Sequence, residues 1–457
     1  MPFSIADAVR RHVLLPATDR WRFWGDVDAR IATLEERDRW EPERLRRWQL
    51  EQLRHVLEYC SARVPFYRRR FAAAGFDPSR FDDVRQLESV PPLTKKDIRE
   101  HGEDLFATGV ARWTVKAGRT GGSTGVPTPF HQSHEEQAWV EAETRRCRRW
   151  EGFLPTSRAV ALGGRNYRPT WKTRLVRAYV RHVRRLVPLP SPFLTDEKLD
   201  EYIAAIDDWR PEVVYGYPSA VYLLSRRMTD RGHRFPFVRV VETGSEKLFD
   251  HQRAAMREAF GFEPYDGYGG GDSPVAWECP AHRGLHVLQT SRYIEFVDDA
   301  GRAVAPGEKG RVLVTTFHND AWPYVRYDMD DLAEPMPDEA CTCGCRLPRI
   351  RCVHGRAGDI LRTPDGRSIT PANVTLVFGP LHDRVWAYQL VQETPERIVA
   401  LVVPGPLFAD ADERRLVSDL RSFMGDVVGL EVRRVADIEK TPAGKHLILV
   451  SRVRPVA

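Results

Sequence analysis

Apolar residues recur at helical spacing near the start of the chain. Between Leu34 and Tyr67 they fall three or four positions apart, a pattern that predicts an N-terminal helical layer. The Pro91-Pro92 pair ends a helical region, and Thr94 together with Asp97 can cap the helix that follows. The first hundred residues are therefore predicted to be mainly helical.

From Trp113 onward, short apolar or β-branched runs alternate with helical patterns. The helical patterns include Asp196–Trp209 and Asp250–Phe260. The alternation predicts an α/β domain with a mainly parallel sheet. The strand candidates are Trp113–Val115, Val160–Leu162, Val213–Tyr215, Val238–Glu242 and Val312–Thr316.

The pattern changes after Arg356. A helical pattern at Asp410–Met424 lies among three strand candidates, which favours a small α+β domain with a boundary near Asp359. We predict two domains, residues 1–355 and residues 356–457. The three strand candidates are Ala387–Glu393, Arg397–Val403 and Glu431–Val435.

Composition narrows the class of protein. The chain has 457 residues, of which 42% are hydrophobic and 29% charged, as in an ordinary globular enzyme. No apolar run reaches the roughly 20 residues of a membrane span, and Asp7 interrupts the apolar N-terminus, so neither membrane insertion nor export is expected. Seven cysteines, an odd number, favour reduced thiols or a metal site, and hence the cytoplasm.

Charge gives little support for a nucleic-acid partner. The formal net charge is only +5. Arginines cluster at Arg145–Arg149 and Arg181–Arg185, but such clusters are usually solvated helix faces, and no nucleic-acid-binding motif with interleaved aromatic residues accompanies them. We expect no nucleic acid as a partner, whereas a homodimer is compatible with the sequence.

The strongest local motif is a loop rich in glycine and hydroxyl residues, Thr120–Thr128. Its small residues let backbone N–H groups approach phosphate oxygens, and its hydroxyls add hydrogen bonds, so the loop is a candidate phosphate cradle. It is not a Walker A loop, because no Gly-Lys-Ser/Thr completes it. A surface loop without function stays open as an alternative.

The same loop also matches the G-x-S-x-G pattern of a hydrolase nucleophile elbow, with Ser123 as the nucleophile. Such an elbow must lead into a helix. Here Pro127 and Pro129 follow directly and favour an extended segment. A serine hydrolase is therefore the weaker alternative.

Further motifs follow in one order along the chain. They are Val64–Tyr67, Pro91–Asp97, the loop at Thr120, Tyr215–Ser219, Thr243–Leu248, Tyr268–Asp272, Arg326–Asp331, Gly355–Asp359 and Thr441–Lys445. In this combination the chain resembles the adenylate-forming superfamily, and within it the phenylacetate-CoA ligase branch. The resemblance covers nearly the whole chain and implies a large N-terminal α/β domain with a small, mobile α+β C-terminal lid.

The resemblance also implies a nucleotide site. Tyr268 would stack near adenine, and Asp331 would accept hydrogen bonds from the ribose hydroxyls. Asp272 stands where the branch usually has a Mg²⁺-binding glutamate; a carboxylate suits this ion, although aspartate is one methylene shorter. The implied nucleotide-binding residues are Thr120, Gly121, Gly122, Ser123, Gly125, Gly244, Ser245, Glu246, Asp266, Tyr268, Gly269, Asp331 and Arg356.

Catalysis is implied for Lys445, Asp272 and Thr124. In the adenylate-forming enzymes that this chain resembles, a lysine at the position of Lys445 contacts the substrate carboxylate and the α-phosphate during adenylation. Its fixed positive charge stabilises the negative charge that develops there. Asp359 falls on the hinge about which the small domain would turn. That rotation would replace the lysine by the surface that accepts the thiol.

The cysteines predict a separate site. Cys279 and His282 form a C-x2-H pair, and Cys341 and Cys343 form a C-x-C pair on another loop; two such pairs commonly build a tetrahedral zinc site. These four residues are the preferred ligands of a structural zinc. Unliganded thiols are the alternative reading. The substitute ligands are Cys345, Cys352 and His286.

The sequence thus predicts an enzyme that uses ATP and Mg²⁺ to activate a small carboxylic acid, then passes the acyl group to a thiol, with coenzyme A as the expected co-substrate. Tyr215 and Tyr217 suggest an aromatic or apolar acid. Three alternatives stay open: a ligase of this superfamily that loads a carrier protein or an amine, a serine hydrolase, and a non-enzymatic protein stabilised by zinc.

Overall fold

The computed structural model covers most of the chain. It describes residues 9–14, 17–18, 26–119, 128–163, 171–191, 194, 196–270, 273–356, 361–365, 368–369, 374, 377–381, 384–439 and 447–453. Among these residues, no helix combines the length and the apolar character needed to cross a bilayer.

A helical layer opens the structure, as predicted. The Thr94 hydroxyl accepts from the Asp97 backbone, and the Asp97 carboxylate accepts from the Thr94 backbone, so the predicted cap is confirmed. Tyr67 anchors the layer to later strands, because its hydroxyl donates to Pro323 O and accepts from Val325 N. The helices are α1 (Val27–Arg37), α2 (Pro42–Arg63), α3 (Pro65–Ala73) and α4 (Lys95–His101), with 3₁₀ turns at Pro78–Arg80 and Val84–Ser89.

A small antiparallel pair flanks the glycine-rich loop. Strand β1 (Lys116–Arg119) pairs with β2 (Pro129–Gln132). The predicted strand Trp113–Val115 is wrong, since Arg112–Thr114 forms a 3₁₀ turn and the strand begins one residue after Val115. The ladder brings the two ends of the loop together, because Arg119 lies opposite Pro129.

One large sheet forms the centre of the molecule. Its strands are β3 (Ala159–Leu162), β4 (Leu186–Leu189), β5 (Val213–Gly216), β6 (Val240–Gly244), β7 (Tyr265–Gly270), β8 (Ser273–Glu278), β9 (Leu285–Val287), β10 (Arg292–Val297), β11 (Gly310–Thr316), β12 (Tyr327–Pro335) and β13 (Arg349–Arg356). Their order in the sheet is β10-β11-β12-β13-β9-β8-β7-β6-β5-β3-β4. The pairs from β7 to β4 are parallel, and the pairs from β7 to β10 are antiparallel.

The predicted mainly parallel sheet is therefore correct for only part of its width. The parallel strands are joined through helices, whereas the strands after Tyr265 follow one another without helices between them, and short connections produce antiparallel neighbours. The helices are α5 (His134–Glu151), α6 (Trp171–His182), α7 (Asp196–Trp209), α8 (Pro218–Asp230) and α9 (Asp250–Phe260).

The arginine cluster at the end of α5 is used internally. Arg146 is fully buried and pairs with Asp38, and Arg148 pairs with Glu242. Arg149 binds Glu35, and Arg145 binds a glutamate one turn earlier. These charges hold α5 against its neighbours instead of forming a basic surface.

The C-terminal part has its own sheet, in the order β18-β17-β16-β19, as the predicted α+β pattern requires. The helix Asp410–Met424, here α10, has the predicted limits. The large sheet ends at Arg356, and the domain boundary near Asp359 stays a prediction. The strands are β14 (Leu361–Arg362), β15 (Ser368–Ile369), β16 (Val385–Thr394), β17 (Arg397–Pro404), β18 (Gly429–Arg434) and β19 (Leu449–Ser451).

Candidate active site

A cleft of about 1170 Å³ opens at the carboxyl ends of β5, β6 and β7. Ligands of α/β proteins bind at this end of a parallel sheet, because the loops after the strands converge there. Residues 447–449 of the C-terminal part also line the cleft. The cleft is therefore the candidate site for the predicted chemistry.

Tyr268 and Asp331 meet in this cleft. The Tyr268 hydroxyl donates to Asp331 Oδ2 at 2.8 Å, although the residues are 63 positions apart. Asp331 pairs across the sheet with Arg356, which has a described backbone but no described side chain. Three residues predicted to surround a nucleotide thus come from three different strands to one place.

The turn before Asp331 is held by residues that the sequence analysis did not assign. Asp330 has a left-handed backbone with φ 62°. Asp328 fixes this turn by accepting from Asp330 N, while its other oxygen pairs with Arg311. Lys95 lies in the cleft wall and binds the Asp330 carboxylate. The sequence pointed to Lys95 only through its place in the Pro91–Asp97 motif.

The predicted loop Gly244–Glu246 also lines the cleft. Ser245 adopts a left-handed conformation with φ 68° at the end of β6. The Glu246 carboxylate accepts from Ser219 N at 3.1 Å, which joins this loop to the Tyr215–Ser219 segment. Two motifs that are distant in sequence therefore form one wall.

Asp266 lies lower on this wall. Thr243 Oγ1 donates to its carboxylate at 3.2 Å. Burial, with a smaller contribution from the nearby Glu278 carboxylate, raises the pKa of Asp266 to about 7. The group can therefore be protonated near neutral pH. Gly269, also predicted, lines the same cleft.

Several predicted residues lie outside the described part of the chain. They are Thr120, Gly121, Gly122, Ser123, Thr124, Gly125, Asp272, Asp359 and Lys445. Their roles in phosphate binding, Mg²⁺ binding, hinge motion and adenylation stay predictions. Asp272 is the only candidate Mg²⁺ ligand named from the sequence, so the fit of that ion rests on its carboxylate chemistry alone.

An ion pair that the sequence analysis missed forms one end of the cleft. Arg148 Nε and Nη2 donate to the two oxygens of Glu242, each at 2.8 Å. The arginine also lies over the Tyr215 ring, 4.9 Å from its centroid. Arg148, Glu242 and Tyr215 all line the cleft.

Four potential metal ligands gather at one side of the large sheet. The donor atoms of Cys279, His286, Cys341 and Cys343 lie within 4.8 Å of one another. His286 Nδ1 bonds to Leu347 O at 2.9 Å, which leaves Nε2 pointing toward the Cys343 sulfur, 3.3 Å away. Burial lowers the pKa of His286 to about 4, so its ring is neutral and can donate its electron pair.

His282, a preferred ligand in the sequence analysis, does not join the cysteine cluster, whereas the substitute His286 does. His282 lies in the turn after β8 with φ 49°, and its ring faces Tyr265 and Glu278. His286 lies on β9, directly opposite Trp277 of β8, which brings its ring beside Cys279. A second trio of donors, Glu334, Cys352 and His354, lies on β12 and β13.

Comparison with known proteins finds similar sequences along most of the chain. The model of the CapK C-terminal domain family matches residues 361–452. Phenylacetate-coenzyme A ligase of Thermus thermophilus is 28% identical over 76% of this chain and 78% of its own length. Protein CapK of Staphylococcus aureus is 22% identical over 81% of each chain.

The fold also matches solved structures. A 2-hydroxyisobutyryl-CoA ligase in its postadenylation state, in complex with R3-HIB-AMP, superposes with a TM-score of 0.70 at 20% identity. The match covers 88% of this chain and 89% of that one. The chain is thus similar in sequence to phenylacetate-coenzyme A ligases over most of its length and has the fold of an acyl-CoA ligase, which supports the predicted resemblance to the adenylate-forming superfamily and its phenylacetate-CoA ligase-like branch.

Proposed function

We propose that this protein uses ATP and Mg²⁺ to convert a carboxylic acid into an acyl-adenylate and then transfers the acyl group to the thiol of coenzyme A. The observation that carries the proposal is the Tyr268–Asp331 hydrogen bond beside the Gly244–Glu246 loop. A ring, a carboxylate and an exposed loop backbone at the ends of parallel strands suit adenine and ribose.

In the first half-reaction an oxygen of the substrate carboxylate attacks the α-phosphorus of ATP. A bond forms between that oxygen and the α-phosphorus. The bond from the α-phosphorus to the α,β-bridging oxygen breaks, and pyrophosphate leaves with its electron pair. Mg²⁺, when bound with ATP, neutralises phosphate charge. Asp331 would accept hydrogen bonds from the ribose hydroxyls, and Tyr268 orients Asp331 by donating to its carboxylate.

The second half-reaction releases AMP when the thiol attacks the acyl carbon. Lys445 is proposed to serve only the first step. Leu447, two positions after Lys445, lines the cleft and is held by Gln389, which donates to its carbonyl at 2.9 Å. A turn of the C-terminal part at Asp359 would then bring the thiol to the acyl group.

We also propose that the four clustered donors hold a structural zinc. Tetrahedral zinc with Zn–S bonds near 2.3 Å puts two sulfurs about 3.8 Å apart. The Cys279 and Cys341 sulfurs lie 3.7 Å apart. The ion would tie the β8–β9 hairpin to the loop before β13. Such ligands require reduced thiols, which fits the cytoplasm.

Pyrophosphate release tests the first half-reaction. Purified protein with ATP and Mg²⁺ should release pyrophosphate only when an acid from a panel of aryl and aliphatic acids is added. ATP-independent ester hydrolysis that disappears in Ser123→Ala would contradict the proposal and favour a serine hydrolase. With a working acid, thioester formation from coenzyme A should exceed that from a phosphopantetheine-loaded carrier protein or an amine; the reverse would identify another acceptor.

A further inference from the structure

Part of the cleft wall lies on the face of the sheet against which α5 packs, because Arg148 of α5 pairs with Glu242 of β6 and both line the cleft. Side chains alternate along a strand, so Glu242 and Gly244 of β6 share this face. Gly244 pairs with Gly267 on β7, and a Cβ added to Gly267 would meet the Trp277 ring at 3.1 Å. The Trp277 ring and the strand backbone therefore pack closely against these glycines. Glu242, Gly244 and Gly267 all line the cleft, and this stretch of it, here called the passage, joins the nucleotide loop to Glu242.

Two aromatic residues lie beside this passage. The Arg148 guanidinium lies over the Tyr215 ring, 4.9 Å from its centroid, and the Trp277 ring lies against Gly267; both aromatic residues line the cleft with Glu242. An aryl or arylalkyl acid fits such walls, because flat rings pack edge to face and face to face against aromatic side chains. The walls agree with the aromatic acid predicted from Tyr215 and Tyr217.

The end of the passage is charged instead of apolar. Glu242 is only 6% exposed, and both of its oxygens accept from Arg148. Glu242 also shares a hydrogen bond with Glu151. Its two oxygens have about four acceptor sites, so about one site is left for a hydrogen-bond donor of the substrate. A substrate that reaches Glu242 with an apolar group would remove solvent from this ion pair without replacing its hydrogen bonds.

A second carboxyl group lies behind the first. Glu151 accepts from the Trp277 ring nitrogen. Burial, together with the nearby Glu242 carboxylate, raises the pKa of Glu151 well above its usual range, which favours its protonated, uncharged form. The ion pair that lines the cleft is that of Arg148 with Glu242.

We propose that the acid substrate is an aromatic acid bearing a hydroxyl or amino group at the end remote from its carboxylate, and that this group donates a hydrogen bond to Glu242. The proposal rests on the proposed function, which makes the cleft an acid site. A hydroxyl can also accept from Arg148, and an amine cannot be replaced by a methyl group without losing its donor. Sites built for such a donor reject the analogue lacking it far more strongly than apolar pockets discriminate by size.

Matched acid pairs test the proposal in the wild-type protein. ATP–pyrophosphate exchange is measured with 4-hydroxyphenylacetate against 4-methylphenylacetate, and with 3-hydroxybenzoate or 3-aminobenzoate against 3-methylbenzoate. We expect kcat/KM to be at least tenfold higher for the hydroxy or amino member of at least one pair. Equal or higher values for every methyl acid would overturn the proposal while leaving the proposed function intact. If no acid supported exchange, the proposed function itself would fail.

Variants connect the preference to the ion pair. Replacing both partners, as Arg148→Met with Glu242→Leu, should remove the preference or reverse it toward the methyl acid. Arg149→Met is the control. Arg149 lies next to Arg148 on α5 and pairs with Glu35, but it is not among the residues that line the cleft, so this variant should keep the preference. An unchanged preference in a folded double variant would overturn the role of Glu242. If that variant does not fold, the wild-type comparison decides alone.

Discussion

Replacing His286 by alanine should remove zinc, whereas replacing His282 should not. The two histidines lie four positions apart in one hairpin, but only His286 directs a ring nitrogen toward the cysteine cluster. His282 Nδ1 instead lies 3.3 Å from a Glu278 oxygen. His282→Ala is therefore a matched control for His286→Ala, because both variants replace a histidine by alanine within the β8–β9 hairpin.

The size of the effect follows from the loop that the metal closes. Cys279 and Cys341 are 62 residues apart. A permanent cross-link over a loop of that length restricts the unfolded chain by about 4 kcal/mol. The unfolding entropy is near 2.1 cal/mol/K per residue, and the predicted N-terminal domain has roughly 350 residues, so a loss of this size lowers Tm by about 5 °C.

Elemental analysis and thermal melting check this prediction. Wild-type protein and His282→Ala, prepared without chelators, should contain about one zinc per chain and melt at similar temperatures. His286→Ala should lack zinc and melt about 5 °C lower, as should the chelator-treated wild type. Zinc retained in His286→Ala but lost in His282→Ala would refute the ligand set, and a zinc-free wild type would refute the site.

Three further predictions concern the cleft. Lys445→Ala should slow adenylation by about 10²–10³ and leave acyl transfer from a supplied acyl-adenylate largely intact, as single-turnover assays of the two half-reactions would show; equal slowing would contradict the proposed domain rotation. Tyr268→Phe removes one hydrogen bond to Asp331 and should weaken ATP binding by about 2–13-fold in titration calorimetry, with unchanged affinity contradicting the site. The pKa of Asp266 is near 7 in the folded protein and lower in the unfolded chain, so between these two pH values the folded state binds more protons. The contribution of Asp266 to the free energy of unfolding therefore falls as the pH rises to 7. Asp266→Asn should therefore gain Tm relative to wild type from pH 5 to pH 8; a constant difference would be evidence against the raised pKa.

Local patterns in the sequence predicted most elements of the fold. The helices Asp196–Trp209 and Asp250–Phe260 have the limits that their apolar spacing indicates. The direction of the strands after Tyr265 was not predictable from composition, because antiparallel order depends on the connections between strands. The positions of strand candidates along the sequence do not distinguish parallel from antiparallel pairing.

The site was predicted by resemblance more than by spacing. Tyr268 and Asp331 lie 63 positions apart, and no periodicity joins them. Arg148 looked like part of a solvated helix face, whereas its partner Glu242, 94 positions away, is brought to it only when α5 packs on the sheet. His286 was a secondary choice because its role depends on the register of the β8–β9 hairpin.

The fate of the carboxylate oxygens tests the central claim most directly. An acid that supports pyrophosphate release is labelled with ¹⁸O in both carboxylate oxygens and incubated with ATP, Mg²⁺ and coenzyme A, and the products are analysed by mass spectrometry. Attack of the carboxylate on the α-phosphorus predicts one ¹⁸O in AMP, unlabelled pyrophosphate and one ¹⁸O left in the thioester. Label in inorganic phosphate with ADP as the other product, or AMP without label, would contradict an acyl-adenylate.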